Sequence, residues 1–120
     1  MRVTFSVLER TTQVLTALIR DEKEIPIPGS ALTTFTLTLY VVHTLGIING
    51  RSAQNVLNLN GVTVDGNGVV TWTMQPADNI IADETMLFER HRALFEWTYA
   101  SGKAGKEEID LLVQNLAKVL

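Results

Sequence analysis

The stretch Gly61-Val-Thr-Val-Asp-Gly-Asn-Gly-Val-Val-Thr-Trp-Thr-Met74 decides the fold class. Its centre, Asp65-Gly-Asn-Gly68, collects residues that tolerate the positive φ angles of a tight turn, and its flanks are rich in β formers that alternate between two faces. Such a turn sets the register of the two strands it joins. Val70, Trp72 and Met74 fall on one face of the second strand and Val69, Thr71 and Thr73 on the other, so Trp72 is expected to anchor the core. The segment declares a β protein and offers no chemistry of its own.

Toward the C-terminus, Pro76-Ala-Asp-Asn79 breaks the strand, because a proline nitrogen has no hydrogen to give to a ladder. Ile80 to Arg92 mixes charged and apolar residues in a way that suits one or two helical turns as well as extended chain, which leaves room for one short helix. Ala93, Phe95, Trp97 and Tyr99 then share one side of a strand and Leu94, Glu96 and Thr98 the other. Ser101-Gly-Lys-Ala-Gly-Lys106 reads as a turn, and Ile109, Leu111 and Val113 alternate beyond it, so the last two strands form a long antiparallel hairpin.

Toward the N-terminus, Ala53 to Leu59 reads as a further extended piece and Thr44 to Gly50 as a turn. From Thr33 to Val42 the alternation is the clearest in the chain, with Phe35, Leu37, Leu39 and Val41 on one face. Ile25-Pro-Ile-Pro-Gly-Ser30 is a connection or an exposed edge, and Asp21-Glu-Lys-Glu24 a charged tip. Gln13 to Arg20 is favoured as a strand by its Val, Thr and Ile content, although Leu8, Thr11, Leu15 and Leu18 also fit a helical stripe. Val3, Phe5 and Val7 make an opening strand or, with the rest of residues 1–12, an extended arm.

Seven or eight short strands at this spacing predict an all-β chain: a single-domain antiparallel β-sandwich over residues 1–120, Ig-like in the broad sense, with a small barrel as the other closed solution. A chain of 120 residues buries roughly two-thirds of its unfolded surface and needs no staple. It has no cysteine, which excludes disulfides, thiolate metal sites and a cysteine nucleophile. Ten Lys and Arg against thirteen Asp and Glu give a net charge of −3, with the basic residues scattered, so neither nucleic acid nor an anionic membrane is an expected partner. No signal peptide is read at the start, and the apolar run from Leu37 to Val42 is too short to span a bilayer. The expectation is a soluble protein that is not exported by a cleavable signal.

No catalytic motif emerges. Gly102-Lys-Ala-Gly-Lys106 superficially resembles a phosphate loop, but Ala100 stands where the first glycine belongs and Glu107 where the magnesium-binding hydroxyl belongs. His43 and His91 are the only histidines, well separated along the chain and without a partner at metal-ligand spacing. Glu89 with Glu96, or Asp78 with Asp83 and Glu84, are pairings an acid and base or a calcium ion would use, yet charges that solubilise surface strands explain them as well. Trp72, Phe95, Trp97 and Tyr99 suit either a stacking platform for sugars or bases, or a buried sheet face. Arg90 and Arg92 are free to pair across an interface, or with Glu89 and Glu96 in their own sheet. No enzyme, cofactor or metal site is expected.

The runs Ile48-Asn-Gly-Arg-Ser-Ala-Gln-Asn-Val-Leu-Asn58, Val69-Val-Thr-Trp-Thr-Met74, Pro76-Ala-Asp-Asn79 and His91-Arg-Ala-Leu-Phe-Glu-Trp97 resemble small virion-associated proteins of tailed bacteriophages. They are similar also to phage β-sandwich modules in which a Gly-x-Val-x-Trp-like strand precedes an Ala-Asp pair. The resemblance runs from about Thr12 onward. It implies a non-enzymatic building block of the virion, present in multiple copies. A neck (head-tail joining) or tail-completion component is the first expectation. A capsid decoration protein is the alternative, and a carbohydrate- or host-surface-binding module on the tail a further one. Implied partners are portal, adaptor, tail or major capsid proteins and further copies of the chain.

An assembling sandwich contacts its neighbours through sheet edges and extended segments. The candidate contact residues are therefore Arg2, Phe5 and Arg10 in the opening segment, Arg20, Asp21, Glu22, Ile25 and Ile27 around the charged tip, and Arg90 with Arg92.

Overall fold

The structure, a computed structural model, describes residues 3–116. Eight strands form two facing sheets: β1 (Val3–Leu8), β2 (Gln13–Leu18), β3 (Leu32–Val41), β4 (Gln54–Asn55), β5 (Val62–Val64), β6 (Val69–Met74), β7 (Phe88–Tyr99) and β8 (Lys103–Gln114). The larger sheet runs β1-β8-β7-β3-β4 and the smaller β2-β6-β5. The all-β sandwich expected from the alternation is what the chain adopts.

The β5-β6 hairpin forms around Asp65–Gly68 as its composition demands. Asp65 Oδ1 accepts from the amides of Asn67 at 2.8 Å and Val69 at 2.9 Å, so the side chain holds the turn from inside. Trp72 is 1% exposed and Met74 fully buried. Trp72 meets Phe95 edge-on at 5.5 Å between centroids, and Phe95 stacks on Phe35 at 5.5 Å, which ties the small sheet to the middle of the large one. On β3 the expected face of Phe35, Leu37, Leu39 and Val41 is buried throughout.

The β7-β8 hairpin is the longest ladder, twelve registered pairs from Phe88 opposite Gln114 to Tyr99 opposite Lys103. Its turn is tighter than expected. Ser101 and Gly102 take φ of 59° and 81° and reverse the chain, so Lys103 to Lys106 already belong to β8. Gly105 is therefore a strand residue, and the reason is steric: it lies opposite Trp97, whose indole occupies the space a Cβ would need, with Nε1 2.6 Å from that position.

Other expectations need correction. Ile80 to Arg92 contains no helix: Pro76–Asn79 makes one 3-10 turn, an irregular loop follows, and β7 begins at Phe88. Ala53 to Leu59 is strand only at Gln54–Asn55, because Ala53 and Asn58 take φ of 46° and 58° and bend the backbone out of a ladder. Ile25 to Ser30 is a connection that ends in a 3-10 turn over Gly29–Ala31. β1 pairs along β8, Val3 opposite Ile109 through Leu8 opposite Gln114, and this pairing is parallel.

Candidate assembly flank

The two sheets do not close on the same side. In the small sheet the ladder ends at β2. In the large sheet β1 covers only the half of β8 from Ile109 onward, so among the described residues Lys103 to Lys106 have no strand beyond them. Between these two ends lies a cleft of about 910 Å³, walled by Leu15 and Ala17 of β2 and Ile19 just after it on one side and by Ala104, Gly105 and Ile109 of β8 on the other. Phe35, Val70, Trp72, Phe95, Trp97 and Tyr99 form its floor.

The mouth carries charge. Lys103 Nζ donates to Glu22 Oε1 at 2.9 Å and the Tyr99 hydroxyl donates to Glu22 Oε2 at 3.1 Å, so Glu22 straps the charged tip to the hairpin end. The Lys103 ammonium, then the Tyr99 hydroxyl, hold the Glu22 carboxyl below its usual range, while burial and that carboxylate push the Tyr99 phenol up. Asp21 Oδ1 accepts the amides of Lys23 and Ile25, closing the tip, and these bonds lower its pKa, Ile25 most. Arg20 pairs with Glu24 at 3.8 Å.

The aromatic floor makes a poor stacking platform, since Trp97 is only 7% and Tyr99 9% exposed. Burial of both rings removes the motive for a sugar-binding surface there.

The expected contact residues scatter. Arg20, Asp21, Glu22 and Ile25 do meet at the tip beside the cleft, with Ile25 exposed. Ile27 is 3% exposed and packs in the core, so it offers no surface: its amide bonds to the Ile19 carbonyl and draws the segment under the tip. Phe5 is half-buried against the core. Arg10 is exposed and pairs with Glu84 at 3.4 Å. Arg90 and Arg92 bind neither Glu89 nor Glu96. Both converge on Asp110 of β8, at 3.0 and 2.8 Å, on the outer face of the large sheet. Arg2 lies outside the described residues.

Two buried polar clusters were not anticipated. Arg51 and Asp78 are 3% and 0% exposed and form a two-bond ion pair, Nε to Oδ1 at 2.6 Å and NH2 to Oδ2 at 3.1 Å. Asn49 Nδ2 and the Gln75 amide complete Asp78, while Gln54 Oε1 and the Asn60 carbonyl complete Arg51. Every strong group in the pair is satisfied, as a charge without water requires.

Glu89 and His91 are both fully buried on the inner face of β7, with 2.6 Å between Glu89 Oε1 and His91 Nε2. Glu89 also accepts the amides of Ala82 and Asp83, so it caps the loop before β7. Burial drives the His91 pKa down against the pull of Glu89; on Glu89 burial works upward, but the His91 bond and the two amides outweigh it and hold the carboxyl low. A neutral imidazole donating from Nε2 to an ionised carboxylate satisfies both shifts. His43 lies near enough to oppose charge on His91, yet no three His, Asp or Glu side chains converge on a common metal position among the described residues.

Comparison with known proteins adds no relative: no family model, no curated protein and no solved structure matches the chain.

Proposed function

We propose that this chain is a non-enzymatic structural protein of a tailed-bacteriophage virion, assembled in multiple copies. The virion assignment rests on the resemblance carried by the Ile48–Asn58, Val69–Met74, Pro76–Asn79 and His91–Trp97 runs. The observation that carries the assembly role is the unfinished flank, where both layers end over a cleft with an aromatic floor instead of being capped. The buried Arg51–Asp78 and Glu89–His91 clusters support it from the other direction, since each is consumed in holding loops and turns to the sandwich.

Between virion locations, symmetry is the discriminating property. A closed neck ring needs two different complementary sides on each subunit, whereas one sticky side pairs across a two-fold axis. The opposite flank is finished: β4 has two residues, and on β5 the Val62 amide bonds to the Leu59 carbonyl and the Val64 amide to Asn58 Oδ1. One open flank favours the capsid-surface location, the alternative to the neck or tail-completion site. Copy number by quantitative mass spectrometry, on intact particles and on emptied heads lacking necks and tails, tests this. Many copies retained on such heads support the surface location; retention only with necks or tails supports the ring, and absence from particles ends the virion proposal.

A further inference from the structure

The open flank also fixes its own partner. We propose that two copies of this chain pair antiparallel along β2, centred on Thr16, and join their small sheets into one six-stranded sheet across a two-fold axis. This rests on the assembly role above and adds the surface, the register and the symmetry.

The direction of the β2 amides comes first. The Ile19 amide donates to the Gly68 carbonyl on the β6 side, and in an antiparallel ladder the direction alternates residue by residue. Gln13, Leu15 and Ala17 therefore turn their main-chain groups toward β6, and Val14, Thr16 and Leu18 turn theirs to the open edge. Those three outward residues have no main-chain partner among the described residues.

The composition of this edge comes second. Natural edges are blunted by lysine, proline, a bulge or extreme shortness. β2 has none of these over its six residues Gln-Val-Leu-Thr-Ala-Leu, which carry no charge and pair with β6 in unbroken register. On its outer face it exposes Val14 at 60% and Leu18 at 42% on either side of Thr16. An edge so left open is a template for another strand.

Self-complementarity then selects the strand. Antiparallel pairing about Thr16 sets Val14 against Leu18 of the second copy, Thr16 against its own mate, and Leu18 against Val14. All three outward amides meet outward carbonyls in that register, and both exposed apolar side chains find an apolar neighbour across the seam. An isologous contact needs only one patch, and among the described residues the molecule has one unfinished flank.

Light scattering on the purified chain should give twice 13.3 kDa, in a concentration-dependent equilibrium. The double variant Val14→Lys with Leu18→Lys should reduce it to the single-chain mass with its unfolding midpoint little changed, because both positions are exposed and like charges then face each other. The double variant Val14→Lys with Leu18→Glu should restore the dimer, since only this register sets the new charges opposite one another. Mild oxidation of Thr16→Cys should crosslink the pair, as hydrogen-bonded residues face each other about 5.5 Å apart at Cα, within disulfide reach. Thr63→Cys on β5 should not.

A single-chain mass at all concentrations, a Lys/Glu variant no better than the Lys/Lys one, or crosslinking through Thr4→Cys on β1 in place of Thr16→Cys would each overturn the pairing. The two proposals fail separately. Virion copies without a Thr16→Cys crosslink leave the structural role and remove the two-fold, whereas a crosslinked dimer absent from particles does the reverse.

Discussion

Arg51 and Asp78 join two loops across 27 residues of sequence through a bidentate ion pair from which water is excluded. The two partners sit in separate segments, Ile48–Asn58 and Pro76–Asn79. Each segment supplies half of a contact that neither can satisfy alone.

Breaking that pair should be expensive. Arg51→Met or Asp78→Asn alone strands a buried partner and should cost about 3–5 kcal/mol in urea unfolding. The double variant Arg51→Met with Asp78→Leu should lose less than the sum of its single changes, because no charge is left uncompensated. Single changes that each cost under about 1 kcal/mol would count against the pair as a structural lock.

Gly105 and Trp97 make a size-complementary pair. A methyl group at Gly105 would press on indole atoms at 2.6 to 2.8 Å, so Gly105→Ala should destabilise by about 1–3 kcal/mol. Adding Trp97→Leu should make Gly105→Ala cheaper than it is in the parent, by relieving the overlap. A thermal melt of the four proteins in the cycle reads this directly; an additive cycle would show that the ring is not the obstacle.

The two glycines of the hairpin tip should separate. Gly68 has φ of 78°, and a Cβ there would lie 3.0 Å from the Ile27 carbonyl, so Gly68→Val should unfold the protein or cost several kcal/mol. Gly66 has no atom within 4 Å of its Cβ position and no left-handed φ, so Gly66→Ala should melt within about 0.5 kcal/mol of the parent.

The Glu89–His91 cluster predicts a pH slope. The folded state holds the His91 pKa below its ordinary 6.5, so below about that pH the unfolded chain takes up a proton that the folded chain refuses, and stability falls. Glu89, depressed from its ordinary 4.5, contributes stability above that value that is lost as pH drops through its folded pKa. Urea unfolding between about pH 8 and pH 5 should show the first decline. His91→Gln should flatten it. A slope unchanged in His91→Gln would assign the decline elsewhere.

Much of this architecture was legible because alternation is local. Phe35 to Val41, Val70 to Met74 and Ala93 to Tyr99 each announce a buried face within a few residues. The same period of two runs backward from Ala93 through His91 to Glu89, and both are buried, but a charged residue on an inner face reads as a break unless its partner is known. Gly105 read as turn chemistry because its reason for being glycine is a ring on the neighbouring strand. Ile27 read as exposed because it stands between prolines, whereas the tip folds over it. The cleft had no signature at all, for it marks where a strand is missing, and a missing strand has no residues to read.

The pairing of β1 with β8 carries a consequence for how the protein is made. Val3 to Leu8 find their partners more than a hundred residues later, so the sheet cannot gain its outer strand until nearly all of the described chain has left the ribosome. The local hairpins can form as they emerge, but the ends are sewn together last, and until then the nascent chain displays bare strand margins in a crowded cell. Chaperone cover for those margins until β1 meets β8 is what this topology calls for.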